Sequence, residues 1–442
     1  MRNLREMGPG LHSGAIHSPI RPATRAVFLA LVCSAACAQD FTQRGYIETQ
    51  LSAFPQTAPD DSSNFVGNAI FRWDLSYKLA PWLTFSGGIE AQTDTHLETE
   101  RTFHLDWQDR GLLRPALDLR SFKTTIHKSH FTADLGKQFI RWGTADILNP
   151  TDVFAPRDYL TVVDNDFLGV LGARAVVEGG GYSVDMVVTR FTPSRMPLLN
   201  ERWTVLPPDL TQPVENAATH YPGGAQYGAR VKHVARAFEA SASFFEGYNN
   251  VPLVGSPSPA LPPGGSNGSL PSPVIYVERF YPKIRMYGAD AAIPLQWFTL
   301  KMEAAYFQGR AMQDLAAPRS DDYLLYVTQL ERQVGEWTFV GGYAGQAVAQ
   351  SRGALDFDPQ RGLTRAFLGR IGYNIDSRRS IAFEGAERQN GAGTWLRAEY
   401  SYLMGSHWRA TAEAVVIAGD STDFLGQYHR NSNFILKIRY SF

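Results

Sequence analysis

The chain has 442 residues, 44% of them hydrophobic, with 42 Lys and Arg against 43 Asp and Glu and only two cysteines. That near-neutral balance argues against nucleic acid as a partner, and with Cys33 and Cys37 both inside the first segment, the rest of the chain has no disulfide framework, thiol nucleophile or cysteine metal site. No stretch after residue 38 approaches 18 consecutive apolar residues, which excludes a helical membrane protein.

Arg2, Arg5, Arg21 and Arg25 precede an apolar run from Ala26 to Ala38 that closes on Ala36-Cys37-Ala38. This is the layout of a secretory signal cleaved before Gln39, so residues 1–38 are expected to be removed and residues 39–442 to form one domain. The charged part is long, which leaves Met7 or a later codon as an alternative start. A lipid-anchor reading at Cys37 would want Leu three places earlier, where Ser34 stands. Without the signal, the count is 38 basic against 42 acidic residues, a net charge of −4.

From Gly45 onward the sequence breaks into two-residue rhythms of strand length, with no convincing helix of 3.6-residue spacing. Ile47, Thr49, Leu51 and Ala53 mark the first strand. Ala69, Phe71, Trp73, Leu75 and Tyr77 mark the second, opposite Asn68, Arg72, Asp74 and Lys78. Phe298, Leu300, Met302, Ala304 and Tyr306 alternate with Lys301 and Glu303, and Trp408, Ala410, Ala412, Ala414 and Val416 with Arg409 and Glu413. One face suits lipid and the other water. Eighteen such strands can be counted, or sixteen, because Tyr323–Gln333 and Thr364–Ile375 can be phased with either face outward.

The connections alternate in length along the chain. Tight ones include Leu79–Trp82, Gly179–Gly181, Val334–Glu336 and Gly405–His407; long ones include Thr95–Pro115, Gly143–Phe167 and Thr192–Gly223. Short turns on one rim and long loops on the other predict an all-β fold, a single transmembrane antiparallel up-and-down β-barrel with periplasmic turns and external loops. Phe131, Tyr182, Phe238, Phe298, Trp337 and Trp408 each open the strand after a tight turn, as a headgroup-level aromatic girdle requires. The Pro-, Gly- and Ser-rich run from Val251 to Pro273 predicts an external loop with no fold of its own.

A barrel of about 16 to 18 strands encloses a lumen too wide for side chains to fill, so a water-filled channel is expected unless loops block it. Arg72, Arg174, Arg230, Lys301, Glu303, Arg397 and Glu399 are expected on the inner wall. Their mixed signs argue against a single-sign selectivity ring and equally fit wall salt bridges. Gly136-Lys137-Gln138-Phe139-Ile140-Arg141-Trp142-Gly143-Thr144-Ala145-Asp146 leads into Asn149-Pro150-Thr151-Asp152 and Pro156-Arg157-Asp158, the third long loop. Stiffened by two prolines, and carrying Lys137, Arg141, Asp146, Asp152, Arg157 and Asp158, this segment either folds into the lumen as its constriction or pins itself to the wall.

The chain ends Asn433-Phe434-Ile435-Leu436-Lys437-Ile438-Arg439-Tyr440-Ser441-Phe442, apolar or aromatic at every second position. This ending resembles the C-terminal signature by which outer-membrane β-barrel proteins of Gram-negative bacteria are recognised for assembly, with Tyr440 and Phe442 as its key positions. The Gly-Lys-Gln, Trp-Gly and Asn-Pro-Thr-Asp stretch, with Glu399-Tyr400-Ser401-Tyr402 and the final strand, is similar to large outer-membrane barrels grouped near the porins and the alginate-export barrels. The resemblance implies the outer membrane of a Gram-negative bacterium, with lipid and the barrel-assembly machinery as partners.

The function expected on these grounds is a passive channel for diffusion or export of a polar solute or a glycan or lipid-like product, without cofactor or metal. An alternative is a barrel in an envelope export assembly fed by a periplasmic partner; homo-oligomers are compatible with either. An outer-membrane hydrolase would need converging Ser, His and carboxylate groups, but His96, His104, His127, His130, His220, His233, His407 and His429 are scattered. Asp321-Asp322 and Asp356-Asp358 lack calcium-ligand spacing.

Overall fold

The computed structural model describes residues 40–199, 201–204, 213–254, 258–260, 274–309, 311–312, 319–320, 322–348 and 364–442. Its main element is one closed sheet of eighteen antiparallel strands in sequence order. We number them β1 (Phe41–Ala53), β2 (Phe65–Ala80), β3 (Leu83–Asp94), β4 (Leu117–Lys128), β5 (Phe131–Gln138), β6 (Val170–Gly179), β7 (Tyr182–Arg190), β8 (Ala225–Val234) and β9 (Glu239–Tyr248). The circuit continues with β10 (Lys283–Pro294), β11 (Thr299–Gln308), β12 (Tyr323–Val334), β13 (Trp337–Val348), β14 (Ala366–Asn374), β15 (Arg379–Arg388), β16 (Gly393–Met404), β17 (Trp408–Gly419) and β18 (Asn433–Ser441).

Closure is made by β18 on β1, in register from Tyr46 opposite Ser441 to Ala53 opposite Phe434. Gly45 and Phe442 then exchange backbone N–H···O=C bonds at 3.0 Å in both directions. A sheet without edges satisfies the strands' amides internally, as hydrocarbon demands. The residues of β18 show which face meets lipid: Phe434, Leu436 and Ile438 are 61%, 57% and 48% exposed, whereas Asn433 and Ile435 are 6% exposed. In water, each such exposed apolar side chain would forgo about 1.5–3 kcal/mol of burial; in a bilayer it does not.

The count is eighteen, not sixteen, and the structure explains why two strands were hard to phase. In β12 the inward residues Tyr323, Leu325 and Val327 are as apolar as the outward Tyr326 and Leu330. In β14 the inward Ala366 and Leu368 face an apolar cluster, while Phe367 and Ile371 point out. The loop side of the barrel interior is therefore greasy, and alternation disappears there.

The tight turns match their expected places, with Gly335 (φ +57°) and Gly405 (φ +70°) taking left-handed positions that a Cβ disfavours. Phe131, Tyr182, Phe238, Trp337 and Trp408 are exposed at this rim, but Phe298 is only half-exposed. Leu295 closes the turn with its N–H on the Phe298 carbonyl, and Trp297, 63% exposed, takes the outward place instead.

The expectation of an unfolded Val251–Pro273 loop needs correction where that segment is described. Leu253–Val254 pairs with Arg279–Phe280, and Ser258–Ala260 with Val274–Val277, which also runs parallel to Val214–Asn216. Pairing with the chain on either side supplies backbone partners that composition did not reveal; residues 255–257 and 261–273 of that run lie outside the described residues, as does the expected signal, residues 1–38.

Candidate functional site: a loop laid across the lumen

The chain between β5 and β6 leaves the wall at Gln138 and runs inside the barrel. Asp152 folds its first turn, accepting the N–H groups of Trp142 (2.5 Å) and Gly143 (2.8 Å) and the Nε of Arg141 (3.1 Å). Trp142 then donates its indole N–H to Asp185 on β7, which is also held by Arg174. Gly228 on β8 makes room for this contact, since a Cβ there would lie 2.6 Å from both the Trp142 and the Phe154 rings.

The deepest anchor is Glu303 on β11. Its Oε2 accepts the N–H of Thr144 (2.9 Å) and of Ala145 (3.1 Å), and its Oε1 accepts the N–H and the hydroxyl of Thr151, both at 2.8 Å. One carboxylate thereby holds both arms of the Thr144–Thr151 turn. Thr144 also donates its hydroxyl to Asp290 on β10, which takes a two-pronged bond from Arg230. Asp146 pairs with Lys301 at 2.8 Å and with Gln329 on β12.

The return arm reaches the other side. Asp166 lies 2.9 Å from Arg72 on β2 and 2.8 Å from Arg120 on β4, and Asp164 lies 3.7 Å from Lys437 on β18. In an eighteen-strand circuit β2 and β11 are nine steps apart, that is, diametrically opposite. The loop therefore spans the lumen. Phe167 is clasped there between Arg141 (4.3 Å) and Arg157 (4.2 Å).

The loop divides the interior. Towards β7–β12, Ile140, Trp142 and Phe154 pack with Phe245, Met286, Phe307, Tyr323 and Leu325 into a buried apolar cluster, so the inserted loop fills this side of the lumen, the exception that the expectation of a water-filled channel allowed for. Towards β1–β4 and β16–β18 a cavity of about 410 Å³ remains. Its wall carries Glu48, Arg72, Glu90, Arg120, Arg397, Glu413, Lys437 and Arg439, with Thr161–Leu168 of the loop facing them. Arg439 pairs with Glu48 at 2.7 Å and Arg397 with Glu384 at 2.8 Å. Glu399 makes no ion pair among the described residues.

Along the same cavity, three external loops meet in a buried ionic network, with Glu98, Arg114, Asp118, Asp158 and Arg195 in its lining. Lys137 lies 2.7 Å from Asp109 and 3.3 Å from Asp118; Arg195 lies 3.0 Å from both Asp109 and Asp158; Arg114 lies 3.0 Å from Asp158 and 2.8 Å from Glu98. Burial pushes the Asp158 carboxyl up, but the Arg114 and Arg195 guanidinium groups pull it further down, below the usual carboxylate range. A depressed carboxyl adds stability above its unfolded pKa, near 4, and loses it as pH falls through the folded value. Acidification below about pH 4 is therefore expected to lower the urea midpoint of the barrel more than that of Asp158→Asn. Equal acid sensitivity would remove Asp158 from this role.

Lys137, Arg141, Asp146, Asp152, Arg157 and Asp158 thus all lie in or beside the inserted loop. Arg174, Arg230, Lys301 and Glu303 lie beneath it, and Arg72 and Arg397 line the cavity. Tyr440 and Phe442 sit at the closing seam, where the Phe442 ring lies 6.3 Å from Phe71. Asp109, Arg114, Arg195, Asp164 and Asp166 escaped the sequence reading because they lie in loops without period. Asp118 was within reach, as the polar middle of Leu117-Asp118-Leu119.

Closed, apolar outside and charged within, this is a membrane barrel with the outer-membrane porin fold. Among solved structures it is similar to a BenF-like porin from Pseudomonas fluorescens Pf-5 (TM-score 0.52, 10% identity, 91% of this chain and 97% of that chain covered). It is also similar to Acinetobacter baumannii OccAB4 (TM-score 0.51, 8% identity, 91% and 98% covered). No protein-family model and no curated protein matches the sequence.

Proposed function

We propose that the protein is a passive outer-membrane channel for a small polar or charged solute, with its narrow point between the Thr161–Leu168 arm and the wall of β1–β4 and β16–β18. The observation that carries this reading is the inserted loop, which fills one side of the lumen and leaves the cavity of about 410 Å³ on the other. A space of that size lined by paired charges suits a hydrated small solute better than a polymer. A barrel sealed until a periplasmic partner engages it is the second reading, favoured by the apolar packing under the loop. Conductance of the purified protein in planar bilayers separates the two: stepwise openings support the channel, and silence supports the partner-dependent barrel.

Asp166 is the loop charge most available to a passing ion, its side chain 56% exposed between Arg72 and Arg120. Asp166→Asn leaves both guanidinium groups with Glu90 alone, so the reversal potential in a salt gradient is expected to shift towards anions. An unchanged reversal potential would place the narrow point elsewhere.

A further inference from the structure

We propose that Asp61, His96 and Glu201 form a site for a divalent transition-metal ion of the zinc type, joining the first, second and fourth external loops. The imidazole Nε2 of His96 lies 2.9 Å from Asp61 Oδ2 and 3.2 Å from Glu201 Oε2. One ligand atom from each residue lies within 4.8 Å of the other two, and no other such group of three occurs among the described residues.

Two features point to an ion. The His96 side chain is nine-tenths buried, yet its Nε2 makes no hydrogen bond of good geometry: the carboxylate oxygens flank it without lying along an N–H. Those two spacings also suit coordination, because ligands at about 2.0–2.2 Å from one ion, separated by 90–109°, lie about 2.8–3.6 Å apart.

The donor set selects the class. One imidazole nitrogen with two carboxylate oxygens suits zinc and its neighbours, whereas calcium takes six to eight oxygens. Asp61 is fixed in advance: Ser63 donates its N–H to Oδ1 at 2.8 Å, and Arg202 donates to Oδ2 at 2.9 Å. Arg202 is itself held by the carbonyls of Gln56 and Ser63 and stacks on Phe54 at 4.0 Å. Such outer partners orient a ligand and hold its charge. Asp61 Oδ2 would then be shared between the guanidinium and the ion.

The test uses the full barrel folded in detergent, stripped with chelator and titrated with Zn²⁺, then with Co²⁺ for its ligand-field absorption. One Zn²⁺ per chain is expected, with the site lost in His96→Ala and weakened in Glu201→Gln. Both variants are compared at equal folded fraction by heat-modifiable gel mobility; His96→Asn serves if His96→Ala folds poorly. No bound metal, or equal binding by wild type and the His96 variant, overturns the site, and then His96 holds the carboxylates as a protonated imidazolium only. The outcome is independent of whether the barrel conducts.

Discussion

Glu303→Ala is expected to detach the inserted loop from the far wall and raise single-channel conductance severalfold. The wild-type carboxylate accepts four hydrogen bonds, three of them from backbone N–H groups, and Thr151 is fully buried. Alanine leaves those three N–H groups facing a void, at about 1–3 kcal/mol each unless the loop moves to find water. Movement is the cheaper outcome, because nothing covalent holds Thr144–Thr151 to β11. Glu303→Gln keeps one acceptor oxygen but turns an NH₂ towards the remaining donors, so an intermediate effect is expected. Hydrogen exchange at Thr144, Ala145 and Thr151 should rise with conductance in the same order. Wild-type exchange and conductance in Glu303→Ala would show that apolar packing of Trp142 and Phe154 alone holds the loop.

Glu303 also shows where sequence reasoning stops. Its place on an inward face was legible from Phe298, Leu300, Met302, Ala304 and Tyr306, which fix the phase of β11 within one strand. Its partners were not, because Thr144 and Thr151 lie more than 150 residues away and reach it through a loop whose path is set by tertiary packing. The same contrast runs through the molecule. Strand phase, turn positions and the closing seam follow from local periodicity. The apolar filling at the loop side erases that periodicity in β12 and β14, where both faces are apolar and local pattern fixes no phase. The Trp142, Asp152 and Thr151 motif was recognisable as a unit, and its residues fold the loop more than they face the cavity.

Lys137→Met is expected to cost about 3–5 kcal/mol of stability, the usual result of removing one member of a buried ionic cluster. The Lys137 side chain is 4% exposed, and its ammonium lies between Asp109 and Asp118, themselves 1% and 8% exposed in their side chains. Methionine fills the volume but leaves two carboxylates close together with Arg195 as the nearest cation, and Arg195 already serves Asp158. Lys232→Met is the control. Its partner Glu239 lies at 2.6 Å, as close as any in the network, but the side chains are 34% and 45% exposed. Solvent screens that pair, and a loss of about 0–1 kcal/mol is expected. Urea unfolding of the two variants in the same detergent therefore separates distance from burial as the source of the effect. Adding Asp109→Asn and Asp118→Asn to Lys137→Met removes the stranded charges and should restore most of the loss; failure to do so would mean that the lysine stem, not its charge, holds these loops over β4 and β5.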